Sequence, residues 1–216
     1  WARNGRAYVR ARLGRFAEAI ADCERAERLL DAPEVPGAPP SELEPSRRVI
    51  LDNLAELHHR SGDLEGAARW QLRLEASEPD GPWLSPVAPW RGVALARAQL
   101  DLVDALAHAE KGLRGARRFL DPAAEDRFLA EIGDLRYRRG EAALASDAFR
   151  RSLAVRRRIG EPEEVRATVV AASLAAARAG QLEEAEAGFL EALGDPTCAG
   201  RSRSEILAAL ACVEAR

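Results

Sequence analysis

His58 and His59 are adjacent, and paired imidazoles are a natural first place to look for a metal site. On a helix, neighbouring side chains point about 100° apart, so the two rings do not converge on one ion. The pair reads as one ring facing inward and one facing outward. His108 stands alone, as a surface or packing residue. The cysteines, Cys23, Cys198 and Cys212, are odd in number and far apart. They make no disulfide framework, and a reducing compartment is expected. Glu163-Glu164 and Glu183-Glu184 read as solvated helix ends rather than facing acid–base pairs. No phosphate-binding glycine loop and no nucleophile elbow occurs. The expectation is a chain that is not an enzyme and takes no cofactor or metal.

Charge and composition narrow the partners. The 216 residues carry 32 basic and 35 acidic side chains, mixed along the chain, for a net charge of −3. That is not the electrostatic footprint of a nucleic-acid binder. No apolar run approaches the ~20 residues of a membrane span, and no signal peptide is visible. A cytoplasmic protein, with neither nucleic acid nor membrane as partner, is the expectation. Hydrophobic residues make up 47% but aromatics only 5%, so alanine and leucine must fill the core. Lys111 is the only lysine among the basic residues. Such arginine- and alanine-rich usage points to a GC-rich bacterial genome. The sequence opens at Trp1 inside a helical pattern and contains no methionine. A piece of a longer protein is expected.

Any site must be positioned by helical hairpins, because one turn recurs. It is Arg60-Ser61-Gly62-Asp63-Leu64-Glu65-Gly66-Ala67, with variants around Gly14, Gly140 and Gly180. A fifth fits at Gln99-Leu100-Asp101, with leucine for glycine. The turn positions 14, 62, 100, 140 and 180 lie roughly 40 residues apart, the period of a helical-repeat array. Seven before each comes Ala7, Ala55, Val93, Gly133 or Ser173. Five after comes Ala19, Ala67, Ala105, Ala145 or Ala185. Small residues belong where paired helices approach most closely, since a longer side chain pushes the backbones apart. Two after come Phe16, Leu64, Leu102, Ala142 and Leu182, expected to fill the remaining space.

In order, the repeats span about 1–33, 47–80, 86–121, 123–160 and 162–197, with a final helix over 202–216, all in one array. Five prolines between Asp31 and Ser46 predict a loop there. Glu78 to Pro89 is a second irregular stretch, with Pro89 suited to a helix's first turn. Asp121 before Pro122 is a natural N-cap. Leu54, Leu57, Leu64, Leu72 and Leu74 are expected core, as are Ile206, Leu207, Leu210 and Val213 in the last helix. Cys23 falls at a second-helix core position.

This pattern resembles the tetratricopeptide repeat, in its bacterial long-repeat form of about 40 residues. Pro79, Phe149 and Phe189 sit at family positions, whereas Arg10, His58, Ala96, Arg136 and Ala176 replace its large first-helix residue. The resemblance implies an all-α, right-handed superhelical solenoid of about five antiparallel helix pairs plus a C-terminal helix. It implies a concave groove lined by the first helices. The groove residues carried over are Asn4, Tyr8 and Arg12, then Asp52, Asn53, Glu56, His59 and Arg60, then Trp90, Arg91 and Arg97. The fourth repeat gives Arg127, Glu131, Asp134, Tyr137 and Arg138, and the fifth Val170, Leu174 and Arg178. Arginine forks and aromatic rings suit recognition. The implied function is binding of a protein or peptide segment, as sensor or scaffold of a multidomain bacterial regulator. Self-association into a homo-oligomer through the last helix or the Trp83–Trp90 region is the alternative. A small-molecule sensor or enzyme ranks below both. The family's C-terminal-carboxylate grip is disfavoured. Its positions read Asn4, Tyr8, Asn53, Val87 and Arg91, of which only Asn53 and Arg91 match.

Overall fold

A computed structural model gives the structure, describing residues 2–31, 40–77, 87–159, 162–196 and 198–215. The chain divides into two compact units, Trp1–Gln99 and Leu100–Arg216. Among the described residues both are built from α-helices alone.

The first unit holds α1 (Ala2–Arg12), α2 (Phe16–Asp31), α3 (Pro40–Ser61), α4 (Leu64–Ser77) and α5 (Val87–Ala98). Each packs on the next in sequence, and α3 also meets α5. Its core joins Ala7, Ala19, Cys23, Leu54, Leu57 and Trp70. The second unit holds α6 (Leu102–Arg118), α7 (Pro122–Arg138), α8 (Ala142–Ile159), α9 (Pro162–Arg178), α10 (Leu182–Gly194) and α11 (Gly200–Glu214). Again each helix packs on its successor, and α9 also meets α11. This is the all-α stacking of a helical solenoid.

The turns fall where the spacing puts them. Gly14, Gly62, Gly140 and Gly180 all have φ between 74° and 85°, the left-handed region that glycine enters without a Cβ clash. Leu100 takes the same conformation at φ 59°, so the fifth turn is real without its glycine. Leu120, between α6 and α7, does likewise at φ 53°. Both leucines are 86% exposed, so their side chains contribute little packing. Leu120→Gly should therefore stabilise the protein, by about 0.5–1 kcal/mol, through relief of left-handed strain. A higher urea midpoint at unchanged slope is the expected readout.

The small-residue seam is equally direct. Ala19, Ala67, Ala105, Ala145 and Ala185 are each 0% exposed. Ala7, Ala55, Val93, Gly133 and Ser173 are buried as well. A Cβ on Gly133 would lie 2.7 Å from the Phe149 ring, so α7 and α8 meet at van der Waals limit there.

Other expectations change. Leu64 is 44% exposed and Leu72 67% exposed, while Leu54, Leu57 and Leu74 are core. Leu64 opens α4, and Leu72 sits two residues before buried Leu74, roughly 200° round the helix. Leu207 is 47% exposed on α11, where Ile206, Leu210 and Val213 are buried. The proline stretch is partly helical. Asp31 still belongs to α2, and α3 starts at Pro40 and runs through Pro45. Pro40 stands first in its helix, where no N–H is needed, and Pro45 forgoes a single backbone bond. Residues 32–39 and 78–86, with Pro79 and Trp83, lie outside the described residues, as does Trp1. Pro89 sits buried in the first turn of α5. Asp121 caps α7 by accepting from the Ala124 N–H at 3.0 Å.

Buried carboxylates tie helices together within each unit. Asp22 on α2 accepts from Arg6 Nη2 at 2.5 Å and from Arg10 Nη1 at 2.5 Å. The Arg6 hydrogen bonds hold its carboxyl below the usual range, helped by Arg10 and opposed by burial. Glu27, also buried, pairs with Arg73 on α4. In the second unit Asp126 on α7 accepts from Ser152 Oγ at 2.7 Å and from Arg156 Nε and Nη2 on α8, at 2.9 and 2.7 Å. Arg156 Nη1 then donates to Thr168 Oγ1 on α9 at 2.7 Å.

Candidate partner-binding faces of the first helices

In the first unit the candidate residues lie on α1, α3 and α5. Tyr8 is 67% exposed, and Arg12 is exposed beside it. Asn53, Glu56 and His59 are half-buried along α3. Arg60 is exposed, its guanidinium 5.4 Å from the centre of the Phe16 ring. Trp90 and Arg97 are half-buried on α5. The side chains of Asn4 and Val87 lie outside the described residues.

Arg91 corrects the sequence reading. Instead of lining a surface, it is buried at 3% exposure. Its Nη2 lies 2.6 Å from Asp52 Oδ1 and its Nη1 3.3 Å from Glu56 Oε2. Its Nε donates to Gln71 Oε1 at 3.0 Å. Desolvating a guanidinium demands such partners, and here they join α3, α4 and α5. Asp52 and Glu56 therefore neutralise Arg91, and neither it nor they are poised for a ligand carboxylate.

His58 and His59 divide as expected. His58 is buried with Nδ1 2.7 Å from Asp63 Oδ2, and Asp63 Oδ1 accepts from the Gly66 N–H at 2.9 Å. That carboxylate is held below its usual range, first by the Gly66 N–H and then by His58. The arrangement ties the α3–α4 turn and leaves no paired imidazole for a metal. Among the described residues no three His, Cys, Asp or Glu gather closely enough to hold a metal ion.

Cysteine environments differ sharply. Burial, then the Asp22 and Glu24 charges, push the Cys23 thiol up to about 11. Cys198 is buried too, whereas Cys212 is exposed. A thiol-specific reagent at pH 8 should modify Cys212 rapidly in the native protein. Cys23 and Cys198 should react only after denaturant is added, as mass spectrometry of the labelled peptides would show.

The second unit carries a groove among its described residues. Two adjoining clefts open between α9 and α11. One, about 460 Å³, lies among Tyr137, Leu174, Ala177, Arg178, Cys212 and Val213. The other, about 510 Å³, lies among Arg166, Val170, Leu174, Ser202, Glu205 and Ile206. Leu174, Phe189 and Ala209 line both, so the clefts form one groove. The pairing of lining residues shows that α9 and α11 run parallel: Arg166 lies near Ser202, and Arg178 near Cys212. Leu174, 40% exposed, stands midway along the floor. Arg178 lies over the Tyr137 ring at 4.9 Å, a cation–π contact joining α9 to α7.

Thus four candidates from two repeats, Tyr137, Val170, Leu174 and Arg178, come together in one groove. Arg127 is exposed on α7. Glu131 is half-buried there. Asp134 and Arg138 pair with each other at 2.9 Å as i,i+4 neighbours. Sequence reasoning missed Phe189 and Ala209 in the floor and Cys212 at the lip. The signal available was α11 itself, whose residues 205, 209 and 212 fall on one helical stripe beside the buried 206–210–213 stripe.

No family model matches the chain, and no curated protein matches it. Solved structures do. BtubC (BKLC) from P. vanneervenii is 19% identical, with a TM-score of 0.64 over 95% of this chain and 78% of that one. A signal-transduction ATPase with numerous domains, with a tetratricopeptide-repeat sensor, from Pyrococcus horikoshii is 16% identical, with a TM-score of 0.61. That match covers 98% of this chain but only 30% of the ATPase. A kinesin light chain from Podosopora anserina with nearly identical TPR-like repeats is 14% identical, with a TM-score of 0.61 over 99% of this chain and 94% of that one.

Proposed function

From the tetratricopeptide-repeat-like fold that this chain shares with those proteins, we propose that it is a non-catalytic module that binds a protein or peptide segment. The observation that carries the reading is the α9–α11 groove. It has an apolar floor, an aromatic ring and an arginine at one lip, and four helices, α7, α9, α10 and α11, that contribute to its lining. Specific sites of this kind concentrate binding energy in a few aromatic, arginine and aliphatic contacts. Its residues offer no nucleophile–base pair, so recognition is the chemistry that fits them.

The wider setting follows the same reading. The single five-repeat array serves as the sensor or scaffold of a longer cytoplasmic bacterial regulator. The ATPase with a repeat sensor, whose length this chain covers only in part, is the precedent for such an arrangement. Self-association is the second reading. It is favoured by exposed Leu190 and Leu207 on the last two helices, 52% and 47% exposed.

Affinity capture from the source cell's lysate tests the proposal, using wild type, Leu174→Arg and Trp90→Ala/Arg97→Ala in parallel. Partner capture should fall at least about tenfold with Leu174→Arg, since a buried cation in the floor is desolvated on binding. Loss only with the Trp90/Arg97 pair would move the site to α5. Equal recovery from all three, or recovery of the chain itself alone, would replace the binding module by an assembly scaffold.

A further inference from the structure

Leu120 is strained and covers nothing. Its backbone is left-handed at φ 53°, and its side chain is 86% exposed. Phe119 beside it is exposed as well, and so is Ile159, the last residue of α8. These side chains gather at one edge of the second unit. Arg117, near the end of α6, lies 2.8 Å from Glu125 in α7. The next residue, Asp126, lies 2.7 Å from Arg156, near the end of α8. The ends of α6 and α8 therefore flank the start of α7. Arg114, Arg118 and Arg158 are exposed around them. The described carboxylates at this edge are engaged: Glu125 with Arg117, Asp126 and Glu164 with Arg156, Glu191 with Arg157, and Asp121 in the α7 cap. Among the described residues the edge is thus left positive. The helix dipole accounts for cations at the ends of α6 and α8. It does not account for a phenylalanine and two branched aliphatic residues exposed in the same place, one of them in a conformation that favours glycine.

Independently of the α9–α11 groove, we propose that this edge docks on an anionic lipid surface. Phe119 and Leu120 enter the boundary between headgroups and acyl chains, with Ile159 beside them. Arg114, Arg118 and Arg158 bind the surrounding lipid phosphates, which guanidinium forks hold bidentately. A side chain as exposed as Leu120 at the tip of a turn is a protrusion. A fluid phase closes around a protrusion, whereas a peptide segment is held by a concavity. Apolar insertion and attraction of basic groups to anionic headgroups are two signals that reinforce each other where either alone binds weakly. No described helix is long and apolar enough to cross a membrane, and contact at the surface requires none. The whole-chain charge of −3 averages over this edge, so composition alone gives no sign of it.

Vesicle co-sedimentation tests the proposal, with phosphatidylcholine vesicles beside vesicles of equal parts phosphatidylcholine and phosphatidylglycerol. The variants are Leu120→Gly and Arg114→Gln/Arg118→Gln/Arg158→Gln. Arg25→Gln/Arg28→Gln/Arg69→Gln, at exposed positions of the first unit, is the charge-matched control. Wild type should bind the anionic vesicles at least about tenfold more tightly than the neutral ones, and added salt should weaken that binding. The edge triple variant should lose about tenfold or more, and the control little. Leu120→Gly separates insertion from structure. It relieves the strained turn and should raise the urea midpoint, yet it should bind anionic vesicles roughly tenfold more weakly for want of the inserted leucine. Wild type that stays in the supernatant with anionic vesicles overturns the proposal. So does equal loss in the two triple variants, which would mean a diffuse charge effect. Leu120→Gly bound as tightly as wild type overturns the insertion. A fluorescein-labelled DNA duplex that wild type and Leu120→Gly retain and the edge triple variant loses would reassign the edge to nucleic acid. Partner capture should be unchanged in Leu120→Gly, so the edge and the groove stand or fall separately.

Discussion

Asp126→Ala should destabilise the second unit by about 3–5 kcal/mol, the range for removing one member of a buried ion pair. The carboxylate ties α7 to α8, and Arg156 carries the network on to Thr168 of α9. With it gone, Ser152 Oγ, which is fully buried, loses its acceptor. Arg156, with its side chain 15% exposed, keeps Thr168 and the Glu164 carbonyl but loses both bonds to Asp126. A loss of that size is a large part of a domain's usual 5–15 kcal/mol. It should appear as a drop of the urea midpoint at constant slope. The control is Asp126→Leu/Arg156→Leu. Removing both charges together should recover most of the loss, because no uncompensated charge remains. If Asp126→Ala alone is within about 0.5 kcal/mol of wild type, the network contributes nothing net to stability.

Phe189→Ala is the second large effect, also about 3–5 kcal/mol. The ring is 0% exposed and sits with Val169, Ala185, Cys198 and Ile206 in the core where α9, α10 and α11 meet. It also backs both halves of the groove. Truncation therefore acts twice. It leaves a cavity in the core, and it takes the support from beneath Leu174 and Ala209. Thermal unfolding should report the first effect. Partner capture by the folded variant, below its transition, should report the second as weakened binding. Phe189→Leu, closer in volume, should recover much of both. A variant as stable as wild type would mean that the site collapses to fill the void.

The sequence made the hairpins readable because their contacts are local and repeat. Five alanines at one register and small residues at another mark the seam whatever the surrounding composition. Left-handed backbone at Gly14, Gly62, Gly140 and Gly180 is marked by the residue itself. Leu100 was placed by register alone. The Asp126–Ser152–Arg156 network was not legible, since nothing about a charged residue on an amphipathic helix says that it faces inward. Its partner lies 30 positions away on another helix. Arg91 was misplaced for the same reason: as a lone symbol it suits a binding surface, and only Asp52, Glu56 and Gln71 around it reveal a strut. Leu64 and Leu72 show the converse. Hydrophobicity gives the number of apolar side chains, while the helix's rotation decides which are covered. Half of the groove was legible, through Tyr137, Val170, Leu174 and Arg178. The wall from α11 was not, because that helix read as a closing element rather than as one side of a cleft.

Leu120 has a further consequence. At Gly140 the turn closes with Gly140 N–H to Tyr137 C=O at 3.1 Å and Glu141 N–H to Arg136 C=O at 2.9 Å. At Leu120 the same two bonds recur, Leu120 N–H to Arg117 C=O at 3.2 Å and Asp121 N–H to Ala116 C=O at 2.9 Å. The helix ending is thus a pattern of backbone hydrogen bonds that either residue can occupy, and glycine is only its easiest tenant. A turn between helices can therefore stand where no glycine marks it, and a search for glycines alone would count fewer turns than the chain makes.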